Sequence, residues 1–96
     1  MPILSATELS QALTSLPGWR VSGQNLEQSF DFADFVGAMR FVNSIAEAAE
    51  RAGHHPDIDI RYNKVHLSLS SHDSGGITER DTALAAEIAR ISTSAS

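Results

Sequence analysis

Histidines are the strongest candidates for chemistry in this 96-residue chain, because three of the four fall where loops are predicted. His54 and His55 follow a long helical pattern, and His72 follows a strand pattern. Imidazole can give or take a proton near neutral pH, since its ordinary pKa is ~6.5. The three loop histidines therefore predict a general acid–base site. His66 is predicted to lie at outward strand parity, on the surface or at an interface.

Two carboxylates are placed to support these histidines. Glu50 is four residues before His54, which predicts that both lie on the same side of a helix end, and Asp81 opens the last predicted helix. A carboxylate beside an imidazole fixes its tautomer. The alternatives are structural: the helix dipole favours a histidine at a helix C-terminus, Glu50 is solvated, and Asp81 only caps the turn at Thr78. Taken together, the five residues favour a site.

Other chemistries fit the sequence less well. The chain has no cysteine, which excludes disulfides, thiol nucleophiles and Cys-ligated zinc. A metal site would have to combine His72 and Asp73 with one of two adjacent histidines, and no HExxH helix is present. A GxSxG elbow is also absent, and Ser74-Gly75-Gly76 lacks a Walker lysine. Trp19 is interpreted either as a core anchor or as a flat wall for an aromatic ligand.

Composition sets limits on the possible partners. Hydrophobic residues make up 42% and charged residues 20%, which is typical of a folded domain, and the length predicts a single domain over residues 1–96. Seven basic and twelve acidic residues give a net charge of −5 without a basic cluster, so no nucleic-acid partner is expected. No stretch approaches the ~20 apolar residues of a membrane span, and no secretory leader is recognised, which predicts no membrane association and a cytoplasmic location.

Hydrophobic periodicity predicts the elements that position these residues. The predicted helices cover residues 5–16, 34–52 and 78–91, and the predicted strands cover 19–21, 26–32, 57–62 and 64–70. A turn at Asn63-Lys64 is predicted between the last two strands, and the tail 92–96 is expected to fray. The order αββαββα predicts a two-layer α+β domain, with a four-stranded, mainly antiparallel sheet covered on one face by three helices.

The predicted topology also brings the candidate residues together. A hairpin places the end of the last strand beside the start of the strand before it, so His72 is expected to lie near His54 and His55. A domain of this size buries too little surface to be very stable alone, and one sheet face is left open. The sequence therefore predicts self-association.

The string Glu50-Arg51-Ala52-Gly53-His54-His55-Pro56, followed by Tyr62, His72 and Asp81 at fixed spacing, resembles the signature of the pterin-4a-carbinolamine dehydratases. The resemblance covers nearly the whole chain. Its further matches are Pro17-Gly18-Trp19, Phe30-Asp31-Phe32 leading into Phe35, Tyr62-Asn63-Lys64-Val65, and Gly76-Ile77-Thr78-Glu79-Arg80-Asp81.

This resemblance implies dehydration of 4a-hydroxytetrahydropterin to quinonoid dihydropterin and water, which recycles the pterin cofactor of aromatic amino-acid hydroxylases. It implies that a pterin is the substrate and that no metal or organic cofactor is needed, because nothing is oxidised or reduced. The implied catalytic residues are His54, His55 and His72, and the implied substrate-binding residues are Glu50, Pro56, Asp81 and Trp19.

Our hypothesis for the roles is that His54 and His72 act as acid and base on opposite sides of C4a, while His55 orients the pterin. Arg80 is a weaker supporting candidate. The resemblance also implies a homodimer or homotetramer and a functional link to a hydroxylase. Animal relatives serve as dimerisation cofactors of a homeodomain transcription factor, so the alternative function is a non-catalytic binding module.

Overall fold

The computed structural model describes residues 2–95 and confirms the predicted α+β order αββαββα. Each helix and strand begins within one residue of its predicted start. Within the described residues, the elements are α1 (Ala6–Leu13), β1 (Arg20–Ser22), β2 (Asn25–Asp31), α2 (Phe35–Ala52), β3 (Asp57–Arg61), β4 (Lys64–Leu69) and α3 (Glu79–Ala95).

The four strands form one antiparallel sheet in the order β1-β2-β4-β3, so β3 is an edge strand and β4 lies inside the sheet. In the β3–β4 hairpin, Asp57 pairs with Ser68 and Arg61 pairs with Lys64. The loop that precedes β3 and the loop that follows β4 consequently lie at the same end of the sheet. This is the juxtaposition that the hairpin geometry predicted for the histidines.

One face of the sheet packs against the helices. The alternation of buried and more exposed side chains along β4 shows which face this is. Val65, Leu67 and Leu69 are fully buried, whereas Lys64 is exposed and His66 and Ser68 are half-buried. The helices meet this face with side chains at helical spacing. The buried positions are Ala38, Phe41, Ile45 and Ala48 in α2, and Leu84, Ala85 and Ile88 in α3. Helices α2 and α3 therefore share one hydrophobic core with β4.

Three boundaries differ from the sequence prediction. The hairpin turn is Tyr62–Asn63, because Lys64 already pairs with Arg61 in the ladder. Helix α1 ends at Leu13 rather than at residue 16, and the chain continues through turns. Helix α3 continues to Ala95, so the expectation of a frayed tail was wrong over 92–95, while Ser96 lies outside the described residues. Over residues 2–95, none of the helices combines the length and the apolarity needed to cross a membrane.

Candidate active site

His54 is positioned by the way α2 ends. Gly53 adopts the left-handed conformation, with φ 64° and ψ 29°. Its N–H donates to the carbonyl of Glu50 at 3.3 Å, and the N–H of His54 donates to the carbonyl of Ala49 at 3.2 Å. These two bonds form a Schellman motif, in which glycine is favoured because it has no Cβ. The chain therefore turns sharply away from the helix axis directly before His54.

A buried hydrogen bond joins His54 to the start of α3. The Nε2 atom of His54 lies 2.5 Å from Oδ1 of Asp81, and the two side chains are 11% and 0% exposed. Water screens such a pair very little, so a hydrogen bond to the charged carboxylate is strong here. The structure thus brings together two of the predicted site residues that are 27 positions apart in the chain.

Asp81 is also part of the N-terminal cap of α3. The N–H of Thr78 donates to Oδ2 of Asp81 at 2.9 Å, and the N–H of Arg80 donates to the Thr78 hydroxyl at 3.2 Å. Thr78 and Asp81 thus cap the first turn of α3 together, with the N–H of Arg80 as the donor to the Thr78 hydroxyl. Asp81 therefore caps the turn at Thr78, but it does not only cap, because its other carboxylate oxygen contacts His54.

Sequence reasoning missed Ser71, which completes the surroundings of Asp81. Ser71 is 1% exposed, and its hydroxyl donates to Oδ2 of Asp81 at 3.0 Å. A signal was available: continuing the buried alternation of Val65, Leu67 and Leu69 by two residues reaches position 71. A serine at an inward position must find a hydrogen-bond partner, because a buried hydroxyl without one is costly.

The second histidine–carboxylate pair differs from the prediction. Glu50 contacts His55, with Oε2 2.5 Å from Nε2, whereas the sequence spacing paired it with His54. The four-residue rule applies only within a continuous helix, and Gly53 breaks that continuity. The side chains of His55 and Glu50 are 63% and 75% exposed, so solvent screens this pair. One pair is thus rigid and buried, and the other is open to solvent.

His72 lies at the same end of the sheet, in the loop after β4. Its side chain is exposed, and the loop is closed by a bridge between Ser71 and Gly76. Asp73 forms an ion pair with Arg80 at 3.7 Å, which ties the loop to α3. Because Ser71 contacts Asp81, the backbone of His72 begins one residue from the buried network. The loop therefore brings His72 to the predicted end of the fold, with its ring facing solvent.

The remaining predicted residues occupy different surroundings. Pro56 is half-buried between His55 and β3. Trp19 is buried directly before β1, the sheet edge opposite β3, where it meets Phe30 edge-on at a centroid distance of 6.1 Å. It therefore acts as a core anchor, and its contact with a ligand stays a prediction. Among the described residues, the indole Nε1 of Trp19 has no hydrogen-bond acceptor.

A cleft of about 480 Å³ adjoins His54 between α2 and α3. Its apolar lining consists of alanines of both helices together with Leu84. Its charged lining residues are Arg51, Glu79, Arg80 and Glu87. The volume lies within the ~300–1,000 Å³ of typical small-molecule sites, and such sites combine apolar walls with a few polar groups.

His66 lies apart from this region, on the outer face of the sheet. Its Nδ1 is 2.7 Å from the Ser29 hydroxyl, and its Nε2 is 3.3 Å from Oε1 of Glu27. The surface position predicted for it is confirmed. Over residues 2–95, no three His, Cys, Asp or Glu side chains are grouped so that they could hold a metal ion.

Comparison with known proteins identifies the family. The chain matches, over residues 2–91, the family model described as pterin 4 alpha carbinolamine dehydratase. The chain belongs to this family. A protein of Acidobacterium capsulatum, provisionally named as a pterin-4-alpha-carbinolamine dehydratase, is 54% identical over 92% of this chain and 96% of its own length. A protein of Chloroflexus aurantiacus with the same provisional name is 50% identical over 95% and 98%.

Solved structures share the fold of this dehydratase family member. A transcriptional coactivator/pterin dehydratase from Brucella melitensis is 36% identical, with a TM-score of 0.90 over 94% of this chain and 98% of that one. A pterin dehydratase-like protein, identified as a RuBisCO assembly factor in the alpha-carboxysome, is 25% identical, with a TM-score of 0.68 over 81% and 93%. The family assignment confirms the resemblance seen in the sequence.

Proposed function

We propose that the protein is a lyase that dehydrates 4a-hydroxytetrahydropterin to quinonoid dihydropterin and water. In this role it would recycle the pterin cofactor of aromatic amino-acid hydroxylases. The observation that carries the proposal is the buried pair of His54 and Asp81 beside the cleft between α2 and α3. Membership of the dehydratase family supports the substrate class.

The proposed reaction requires one proton donor and one proton acceptor. The C4a–O bond breaks, and the hydroxyl group leaves as water after it receives a proton. The neighbouring ring nitrogen loses its proton, and its electron pair forms the new carbon–nitrogen double bond. One proton is given and one is taken, so the reaction is neither an oxidation nor a reduction. Histidine side chains are suited to both transfers, and the proposal involves no metal or organic cofactor.

The geometry supports a division of roles among the histidines. With its Nε2–H donated to Asp81, His54 presents Nδ1 as the nitrogen that can accept a proton. His72 would act on the opposite side of C4a, from the exposed loop that follows β4. The exposed pair of His55 and Glu50 would bind and orient the pterin. Pro56 and Trp19 are further proposed contacts of the ring.

A non-catalytic binding module is the second candidate function. The names of the two structural neighbours include a transcriptional coactivator and an assembly factor, which favours keeping this candidate. A pure scaffold does not need a buried histidine–carboxylate pair beside a cleft, because desolvating such a pair is costly unless its partners are exact in geometry. The enzymatic function is therefore the better supported of the two.

The decisive experiment supplies freshly generated 4a-carbinolamine and follows formation of the quinonoid product by absorbance. We expect His54→Gln and His72→Gln to lower kcat/KM by about 10²-fold or more, which is the usual contribution of acid–base catalysis. His66→Gln is the matched control, because the ring of His66 bonds to Ser29 and Glu27 of β2 on the outer face, and it should stay within twofold of the wild type. A wild-type protein that gives no acceleration over buffer would favour the binding module.

We also propose a homodimer or homotetramer in which β3 is covered by a second copy. All five residues of β3 are exposed, and its outer edge leaves backbone groups unpaired. Ile58 and Ile60 are 37% and 36% exposed even though their partners in β4, Leu67 and Val65, are fully buried. Natural proteins protect such edges, and pairing with another strand is the simplest way to do so.

A further inference from the structure

We propose that Ser71 and Thr78 are positioning residues for His54 and act on it through the carboxylate of Asp81. The proposal rests on the proposed function, because it concerns the nitrogen through which His54 would transfer a proton. Neither residue belongs to the histidine and carboxylate set predicted from the sequence. Both are almost completely buried, with exposures of 1% and 0%.

The hydrogen bonds of this network run in one direction only. Ser71 donates its single hydroxyl proton to Oδ2 of Asp81 at 3.0 Å. The Thr78 hydroxyl, 2.8 Å from the Ser71 hydroxyl, must then be the donor in that contact. The N–H of Arg80 donates to the Thr78 oxygen at 3.2 Å and so begins the chain. Both hydroxyl protons in this series of hydrogen bonds are therefore assigned, and the series ends on the Asp81 carboxylate.

These donors hold the carboxylate in one orientation. Oδ2 receives two hydrogen bonds, from the Ser71 hydroxyl at 3.0 Å and from the Thr78 N–H at 2.9 Å. Rotation of the carboxylate would break both, so Oδ1 stays directed at Nε2 of His54. An acceptor fixed at Nε2 requires the proton of neutral His54 to be on that nitrogen, which reserves Nδ1 for the substrate.

Helix capping alone does not account for Ser71. The N-terminal cap of α3 is complete with Thr78 and Asp81, whereas Ser71 belongs to the loop that follows β4. Its hydroxyl joins the His72 loop to the carboxylate that holds His54. Two of the three catalytic candidates are thus connected through one buried hydroxyl, which a helix cap would not need.

The test measures the His54 tautomer from the ring ¹⁵N shifts of the full chain, at a pH where the imidazole is neutral, and measures kcat and KM in parallel. Ser71→Ala and Thr78→Val remove one hydroxyl each, and Thr78→Val keeps the backbone donor to Asp81. Thr78→Ser restores the hydroxyl. Ser68→Ala is the matched control, because the Ser68 hydroxyl contacts Glu27 on the outer face.

We expect the wild type, Thr78→Ser and Ser68→Ala to hold the Nε2–H tautomer. Ser71→Ala and Thr78→Val should populate the Nδ1–H tautomer measurably and lower kcat about tenfold, with little change in KM. Ser71→Ala removes a hydrogen bond to the carboxylate itself, and Thr78→Val removes the donor that orients the Ser71 hydroxyl toward it. The proposal would be overturned if His54 carried its proton on Nδ1 in the wild type. It would also be overturned if the tautomer stayed unchanged in both Ser71→Ala and Thr78→Val. If Ser71→Ala does not fold, the comparison of the His54 tautomer and kcat between Thr78→Val and Thr78→Ser decides the test. The tautomer is measured without substrate, so a protein that holds Nε2–H but lacks dehydratase activity contradicts only the proposed function.

Discussion

Replacing Asp81 by asparagine tests the site most directly, because the substitution keeps the shape of the side chain and changes only its hydrogen bonding. Asp81 is fully buried and accepts from three groups: the Ser71 hydroxyl, the Thr78 N–H and Nε2 of His54. Asparagine has one acceptor oxygen. That oxygen is expected to take the Oδ2 position, where it satisfies Ser71 and Thr78.

The amide NH₂ of Asp81→Asn then faces His54, so that the imidazole must turn a lone pair toward it and carry its proton on the other nitrogen. Nδ1 can no longer accept a proton from the substrate. We expect kcat to fall by about 10²–10⁴-fold, the range associated with loss of general acid–base catalysis. The free energy of unfolding should fall by only about 1–3 kcal/mol, because two of the three bonds are kept, although in neutral form.

The assay combines single-turnover quinonoid formation with thermal unfolding followed by the fluorescence of Trp19, the single tryptophan, which is buried. A loss of 1 kcal/mol corresponds to about 4–8 °C in Tm for a domain of this size. Glu50→Gln is the matched control, because its contact with His55 has the same 2.5 Å length but the Glu50 side chain is 75% exposed. Its unfolding free energy should change by less than about 0.5 kcal/mol.

Two results would refute this reasoning. A folded Asp81→Asn variant with kcat within threefold of the wild type would show that the carboxylate does not set the proton position of His54. Equal losses of stability in Asp81→Asn and Glu50→Gln would show that burial of the first pair has no energetic consequence. Asp81→Ala is a poorer test, since it would leave three buried donors without acceptors, at about 1–3 kcal/mol each, in a domain whose total stability is about 5–15 kcal/mol.

Two further predictions concern the end of α2 and the edge of the sheet. Gly53→Ala and Gly23→Ala should each lower stability by about 1–2 kcal/mol in thermal unfolding, since both glycines have positive φ (64° and 60°) and open space around an added Cβ, but only Gly53→Ala should lower kcat/KM. Equal activity in the two variants would contradict the positioning role of the α2 terminus. Ile60→Lys should lower the mass measured by sedimentation, whereas Val21→Lys on the opposite edge should not, and an unchanged mass in both would reject β3 as the interface.

The sequence predicted the fold well because its strongest patterns are the ones that tertiary packing enforces. The alternation along β4 marks a strand with one face buried, and the left-handed Gly53 marks the end of α2. The order β1-β2-β4-β3 was not predicted, since two hairpins alone do not determine which strands meet in the middle. The turn at Tyr62–Asn63 was predicted one residue too late, because either placement preserves the same alternation.

The site was predicted in its residue types and less well in its contacts. Spacing along a helix assigned Glu50 to His54, but a chain reversal at Gly53 gives Glu50 to His55 and leaves His54 to Asp81. The contact between His54 and Asp81 depends on how α2 packs against α3, which no local pattern encodes. The burial of Ser71 could have been predicted from the sequence, since Ser71 continues the inward positions of β4. Its contact with Asp81 across the loop could not.

Asp81 explains why a structural and a catalytic interpretation of one residue need not compete. A carboxylate in the first turn of α3 is stabilised by the positive end of the helix dipole and by the Thr78 N–H. The helix terminus therefore supplies a buried, oriented acceptor whose second oxygen is available to an imidazole from another element. The cap fixes the position of the Asp81 carboxylate, and the Schellman turn at Gly53 brings His54 to it. Backbone geometry at two helix ends therefore determines which ring nitrogen of His54 contacts the carboxylate.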